Sequence, residues 1–327
     1  MRIGVMGAHD GHISGMLASA RKAPNAELVG IVEPDDQICK RLADDLPRFR
    51  TLEEMIEKAR PELILEGLNH AEKTVLVETA AAAGIHLLLD KPLCRSREDW
   101  RRMRAAVDAS GIRLSMWFTS RSYPPFVALQ RAIAAGELGE LVSLISTHPH
   151  RLSPGSPKWY WDPDVYTGTF HDLACHGVDQ ICWLTGAQVT AVHAAGTRLM
   201  RETSFDDHVQ ASLILSNGAR ALVTADWLTP LSSKSWGDTR MIVMGTKGSA
   251  HLRAYAGDHL LVVSDSAGTY EADLSTVHSA PFVESMITAL ESGEPMFIET
   301  ADVFAVADAC LAAQDSAAQG GALVPVA

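Results

Sequence analysis

No apolar run in the 327 residues is long enough to span a bilayer, so a transmembrane helix is not expected. Positive charge is scarce: 28 Lys and Arg stand against 40 Asp and Glu, a formal net charge of -12. A surface that acidic repels phosphate backbones, which excludes nucleic acid as an expected partner. Cysteine is sparse and unpatterned. Cys39, Cys94, Cys175, Cys182 and Cys310 are odd in number, scattered, and without a C-x-x-C pair, which argues against a disulfide framework and for a reduced, cytoplasmic protein. The opening MRIGVMGAHDG breaks into glycine and charge too early to read as a signal peptide. The chain carries neither an internal repeat nor a low-complexity tract.

Hydrophobic residues at 47% and charged residues at 21% give an ordinary globular balance, and the length predicts two domains. In the first third, short apolar runs at residues 2–6, 27–33, 62–66, 85–89 and 112–117 read as strands, with helical spacing between them at 71–83 and 98–109. Strands separated by helices predict a doubly wound parallel sheet, here over residues 1–119. Residues 120–327 have a different rhythm. Helices are predicted at 124–135, around 172–184, at 281–291 and at 301–318, with a strand at 140–147 and a Pro/Gly/Trp-rich loop from 148 to 166. Extended segments follow near 189–201, 208–215, 220–227, 241–244, 250–253 and 259–263. Successive strands without crossover helices predict an α+β domain with an open, largely antiparallel sheet.

The first strand runs into Gly7-Ala8-His9-Asp10-Gly11-His12 and then a helix. In a Rossmann turn, glycines permit a tight bend and close approach of backbone to a pyrophosphate seated on the helix N-terminus. Only the first glycine of G-x-G-x-x-G is in place; His9 and His12 replace the other two, and Gly11 lies one residue off. A plain βα turn fits this loop as well. The second strand ends at Glu33, where a carboxylate hydrogen-bonds adenosine ribose hydroxyls. No arginine follows at once to receive a 2′-phosphate, which favours NAD over NADP. Glu33 also fits the bland role of starting the Glu33-Pro34-Asp35-Asp36 turn.

Further along, Gly84-Ile85-His86-Leu87-Leu88-Leu89-Asp90-Lys91-Pro92 resembles the G-K-H-V-x-x-E-K-P segment of the Gfo/Idh/MocA family, named for glucose-fructose oxidoreductase and inositol dehydrogenase. The stretch from Gly168 to Asp179 looks like that family's G-G-G-x-x-x-D-x-x-x-H-x-x-D helix. Gly136-Glu137-Leu138-Gly139-Glu140-Leu141 is similar to its G-x-I-G-x-V, and Met244-Gly245-Thr246-Lys247-Gly248-Ser249 to its G-T-x-G-S turn. These landmarks stand in family order across nearly the whole chain. The resemblance implies a Rossmann domain followed by a domain whose open sheet commonly forms a subunit interface, as a homodimer or homotetramer. It also implies an active site between the domains that uses Lys91, Asp172 and His176, with Lys91 and Pro92 beside the cofactor. In the family the bond before that proline is often cis. The chain departs from the pattern in its glycine loop, in Asp90 for Glu, and around Leu68-Asn69-His70, where T-P-N-x-x-H is usual.

Oxidising a secondary alcohol needs a base for the hydroxyl proton while hydride leaves the same carbon. Histidine suits that task near neutrality. Asp172 and His176 are four apart, so a helix places both on one face, with the carboxylate able to orient the imidazole. Lys91 can hydrogen-bond the reacting oxygen and offset developing alkoxide charge. Each also has a bland reading: a helix-surface ion pair, and a solvated loop lysine. His171, Asp172, Cys175, His176 and Asp179 can alternatively be read as metal ligands, but one helix rarely supplies a coordination sphere and the resemblance implies no metal. In the long loop, His150, Arg151, Trp159, Tyr160 and Tyr166, with Trp117 and Arg121 beyond the last Rossmann strand, would suit a carbohydrate pocket. The loop tryptophans equally suit a hydrophobic plug or an oligomer contact. Arg121 or Arg151 could accept a carboxylate if the substrate is a sugar acid, though nothing in the sequence selects that substrate.

The leading expectation is hydride transfer between NAD and a carbon of a sugar, polyol or sugar derivative. The alternatives are a glycoside-cleaving enzyme with tightly held NAD, and a non-catalytic sugar or dinucleotide sensor. The altered glycine loop favours the sensor; the retained Lys91, Asp172 and His176 oppose it.

Overall fold

A computed structural model describes residues 1–8, 12–153, 155–200 and 203–326. The early apolar runs become strands because each is buried from both sides: Ile3, Val5, Leu63, Ile64, Leu65, Leu87, Leu88 and Leu89 have no solvent exposure. In chain order the elements are β1 (Arg2–Met6), α1 (Ile13–Lys22), β2 (Glu27–Val32), α2 (Asp36–Leu42), β3 (Arg48–Phe49) and α3 (Leu52–Ala59). They continue with β4 (Leu63–Glu66), α4 (Lys73–Ala82), β5 (His86–Leu89), α5 (Arg97–Ser110) and β6 (Leu114–Met116). The six strands pair in parallel in the order β3-β2-β1-β4-β5-β6. Polar side chains set the helix starts. Asp35 accepts the amides of Gln37 and Ile38, Thr51 that of Glu54, and Ser96 that of Asp99.

The second half contributes α6 (Pro124–Ala134), β7 (Leu141–Pro149), α7 (Cys175–Thr185), β8 (Val189–Thr197), β9 (His208–Leu215) and β10 (Arg220–Asp226). Then come β11 (Thr239–Gly245), β12 (Gly248–Ala254), β13 (His259–Ser264), β14 (Gly268–Glu271), α8 (Phe282–Ser292), α9 (Thr300–Ala318) and β15 (Val324–Pro325). Its nine-stranded sheet runs β14-β13-β12-β11-β7-β10-β9-β8-β15. Every pairing is antiparallel except β7 with β10, which lie parallel. The expected mostly antiparallel sheet is therefore present, with one parallel seam at its centre. Helices α6 and α7 pack on one face of it.

The chain divides into two compact units, but not at a single break near residue 119. The first unit holds Met1–Trp117 together with Asp164–Tyr166 and Ala280–Phe304; the second holds Phe118–Pro163, Thr167–Ser279 and Ala305–Ala327. The reason is packing that sequence order hides. Helix α8 lies on α1, where Val283 donates to Ser19 at 3.2 Å. Beside β6, the Leu114 amide donates to Thr300 and the Ser115 hydroxyl to the Ile298 carbonyl.

Candidate active site

In the first unit, strand order reverses between β1 and β4, the place where open α/β sheets bind ligands at the carboxyl ends of strands. Two glycines close those ends. Gly7 has a φ of +73°, and a Cβ there would stand 2.5 Å from Leu68 Cδ2. Gly67, after β4, leaves no room either: its Cβ would meet Ile13 Cβ at 2.9 Å. The Gly7 amide donates to the Val32 carbonyl and that of Gly67 to Met6, so the ends of β1, β2 and β4 are tied together. His9, Asp10 and Gly11, three expected cofactor contacts, lie outside the described residues. The His12 side chain caps no amide of helix α1, and the described residues of its first turn hold no acid. That leaves its amide end suited to an anion.

Glu33 stands at the expected place after β2 and is buried. Its carboxylate already has work: one oxygen accepts the Ala8 amide at 2.7 Å and the other the Asp35 amide at 2.9 Å. It thus braces the β1–α1 turn against the β2–α2 turn, and a carboxylate retains further acceptor sites for ribose hydroxyls. These residues fit a dinucleotide: a tight glycine turn, a helix start directly after it and a buried acid at the end of β2.

Lys91 follows β5 and is 5% exposed, with a cis bond to Pro92. Sequence reading missed what lies beneath it. Glu66, the last residue of β4, and Lys73, the first of α4, are both fully buried and meet at 3.2 Å. The Lys73 ammonium also donates to the carbonyls of Asp90 at 2.5 Å and Pro92 at 3.1 Å. Glu66 accepts the amides of Asp90 and Leu68. Burial pushes its carboxyl up to about 7; Lys73 opposes that shift and Asp90 adds to it. Asp90 itself accepts the Lys91 amide at 2.7 Å and sits 3.0 Å from His12 Nδ1. The two departures, His12 in the glycine loop and Asp90 before Lys91, are therefore partners. Nothing in the local sequence marks Glu66, and Lys73, which falls where T-P-N-x-x-H has its histidine, ordinarily reads as a solvated lysine opening a helix.

Also in this unit, Trp117 packs on Phe282 with ring centroids 4.7 Å apart and covers Gly15, which accounts for its burial. Tyr166 parts from its loop neighbours and stacks on His70 at 5.6 Å.

In the second unit, Asp172 and His176 occupy one continuous helical stretch. It is entered through a π turn, Phe170–Ala174, that the expected regular helix does not include. Such turns recur at functional sites. Asp172 is fully buried within the π turn; His176 is half-buried, with its ring edge-on to Phe118 at 5.9 Å. Gly177 lets α7 lie close to β7, since a Cβ there would come within 2.6 Å of His148 Nε2. His148 is wholly buried, bonded to Ser146 Oγ at 2.7 Å, and burial lowers its pKa to about 3, so it stays neutral.

Arg121, one of two candidates to meet a sugar-acid carboxylate, meets a protein carboxylate. Its guanidinium binds both oxygens of Asp179, the nearest at 2.6 Å, and both residues are buried. Arg151 donates to the Ser233 carbonyl and covers the Trp236 ring. His150 lies edge-on to Trp227, and Tyr160 packs between Trp159 and that same Trp227. These form an aromatic cluster within the second unit.

Among the described residues, no group of three or more His, Cys, Asp or Glu is arranged to hold a metal ion, and no helix is long and apolar enough to cross a membrane. Residues 1–118 match the family model described as an oxidoreductase family with an NAD-binding Rossmann fold, and residues 126–251 match that of the GFO/IDH/MocA C-terminal domain. The chain is 23% identical over 326 residues to the D-xylose 1-dehydrogenase (NADP(+)) 2 of Haloferax volcanii, covering 99% of each. Its fold is similar to that of an oxidoreductase from Thermotoga maritima, with a TM-score of 0.90, 20% identity and all of both chains covered. It is similar too to levoglucosan dehydrogenase solved with NADH and levoglucosan, at a TM-score of 0.87 and 20% identity, covering 100% of this chain and 99% of that one. The chain belongs to the Gfo/Idh/MocA family of NAD-binding oxidoreductases.

Proposed function

We propose that this protein is an NAD-dependent dehydrogenase or reductase of a sugar, polyol or sugar derivative, with Lys91, Asp172 and His176 handling the proton. The observation that carries this is the Lys91 turn. It ends β5, on the same edge of the parallel sheet as the Gly7 turn and Glu33, and buried side chains hold it in place. Such a rigid support fits a lysine that meets a reacting oxygen and offsets alkoxide charge as it develops. His176 takes the hydroxyl proton and Asp172 orients it from the adjoining π turn. When bound, NAD supplies the hydride acceptor. Glu33 meets the ribose hydroxyls and repels a 2′-phosphate, and His12 faces the cofactor phosphates from the start of α1. The names of the relatives, D-xylose and levoglucosan dehydrogenases, support a substrate of the sugar class. Residues His150, Arg151, Trp159, Tyr160, Tyr166, Trp117 and Arg121 shape or support the substrate region, Trp117 through packing and Arg121 through its ion pair with Asp179.

The exposed face of the second sheet carries an apolar row in which Leu222, Ile145 and Ile242 are direct cross-strand neighbours, with Met244 and Val263 beside them. We assign this face to a homo-oligomer, and the protein to the cytoplasm. The test is a screen of sugars, polyols and sugar acids with NAD, followed by nicotinamide absorbance. Net NADH formation that Lys91→Met and His176→Ala each abolish, with NADH binding retained, is the expected result. Sugar release without net NADH, or no turnover at all, overturns it.

A further inference from the structure

We infer that Glu66 and Lys73 are positioning residues for Lys91, holding its backbone from beneath so that its amine keeps one direction. This rests on the assignment of Lys91 to the reaction.

The turn from Asp90 to Pro92 has five backbone polar groups, since proline lacks an N–H. Four are held by side chains. Glu66 takes the Asp90 amide, Lys73 takes the carbonyls of Asp90 and Pro92, and the Asp90 carboxylate takes the Lys91 amide. The ammonium spans the turn, gripping the carbonyl before Lys91 and the one after it. Its third contact is Glu66, so its three donors are used. A buried ion pair kept for stability alone is a poor bargain, because apolar residues of similar volume often serve as well or better. Here, though, three of the four bonds that the pair makes to other residues go to Asp90 and Pro92, which flank Lys91, and the fourth to Leu68. The charge arrangement couples the turn to its neighbours. Lys73 faces Glu66 from α4, Asp90 faces it from the end of β5, and His12 reaches Asp90 from the start of α1. With the Glu66 carboxyl near 7, its ionisation falls in the working range of a neutral enzyme.

The test compares the parent with Lys73→Met, Glu66→Gln and Lys91→Met, using the substrate found by the screen. Lys73→Met is expected to lower kcat roughly 100-fold, the loss typical of a misplaced reacting group, with KM and NADH affinity within about threefold. Glu66→Gln, close to isosteric, is expected to remove a limb near neutrality from the pH profile of kcat. A readout free of substrate is the acetylation rate of Lys91 by an amine-reactive ester, followed by peptide mass spectrometry. Both support variants should change it at least about threefold while exposed Lys22 stays constant. If Lys91→Met abolishes turnover yet both support variants keep kcat, the pH profile and Lys91 acetylation, positioning is refuted and the Lys91 assignment stands. If Lys91→Met keeps turnover, that assignment fails, and acetylation alone decides whether the pair holds the turn. Should Lys73→Met fail to fold, Glu66→Gln decides.

Discussion

Replacing Asp179 by alanine tests whether Arg121 is a structural anchor. Arg121 is 5% exposed and Asp179 not at all, and the guanidinium lies 5.9 Å from the Trp183 ring. The substitution removes the carboxylate that meets the guanidinium at 2.6 Å and leaves the positive charge in a buried setting. Breaking such a pair costs about 3–5 kcal/mol. For a unit of this size each 1 kcal/mol moves the melting midpoint by roughly 2–4 °C, so a drop on the order of 6–20 °C is expected.

The double variant Arg121→Met with Asp179→Leu separates charge from shape. Removing both partners deletes the desolvation cost along with the attraction, so the double should recover most of the loss seen in Asp179→Ala. Urea unfolding followed by tryptophan fluorescence, with a thermal melt, reads both effects. A single variant within about 1 kcal/mol of the parent would refute the reasoning, as would a double no more stable than the single. The outcome bears on substrate choice, because a sugar acid could bind Arg121 only in competition with Asp179.

Glu33→Ala should narrow the preference for NAD over NADP and also lower the melting midpoint, since the Ala8 and Asp35 amides lose their acceptor; equal NAD and NADP affinities in the parent protein would remove Glu33 from the cofactor site. Gly177→Ala should cost about 1–3 kcal/mol of overpacking, less roughly 1 kcal/mol returned by helix propensity, because the new Cβ meets His148 and Val223. A normal melt for that variant would show that α7 shifts freely. His148, at about 3 when folded against 6.5 ordinarily, gains its proton first in the unfolded chain, so its share of stability is present above 6.5 and is lost as pH falls towards 3. His148→Gln should flatten that acid loss in urea midpoints, and an unflattened curve would contradict it.

The first sheet was legible because parallel strands buried on both faces must be short apolar runs, and residues 2–6, 62–66 and 85–89 are such runs. What escaped reading was of another physical kind. Strand β3 is two residues long, too short for any pattern, and the β7–β10 seam joins strands separated by α7, β8 and β9. The return of residues 280–304 to the first unit rests on contacts such as Ser115 with Ile298, more than a hundred residues apart in sequence. The π turn at Phe170–Ala174 has no residue signature, so the pattern predicts a helix at Asp172 but not its π geometry. Helix α3 was legible and overlooked: Thr51 followed by Glu54 is a capping signal, and Thr51 caps the helix.

The candidate site shows why motif matching falls short in a particular way. Read one at a time, His12 and Asp90 each weaken the match to a dinucleotide enzyme, since each stands where the family has something else. In the folded chain they are 3.0 Å apart, and the carboxylate that binds His12 also fixes the Lys91 amide. A glutamate carries one more methylene than aspartate, so its carboxylate would sit farther from the amide next along the chain. A glycine at position 12 would offer that carboxylate no imidazole. The two changes thus complement each other, and the buried Lys73 and Glu66 add to the same support. Departures scattered in sequence but joined in space are what a rewired site predicts, because a decaying site has no reason to satisfy its new polar groups.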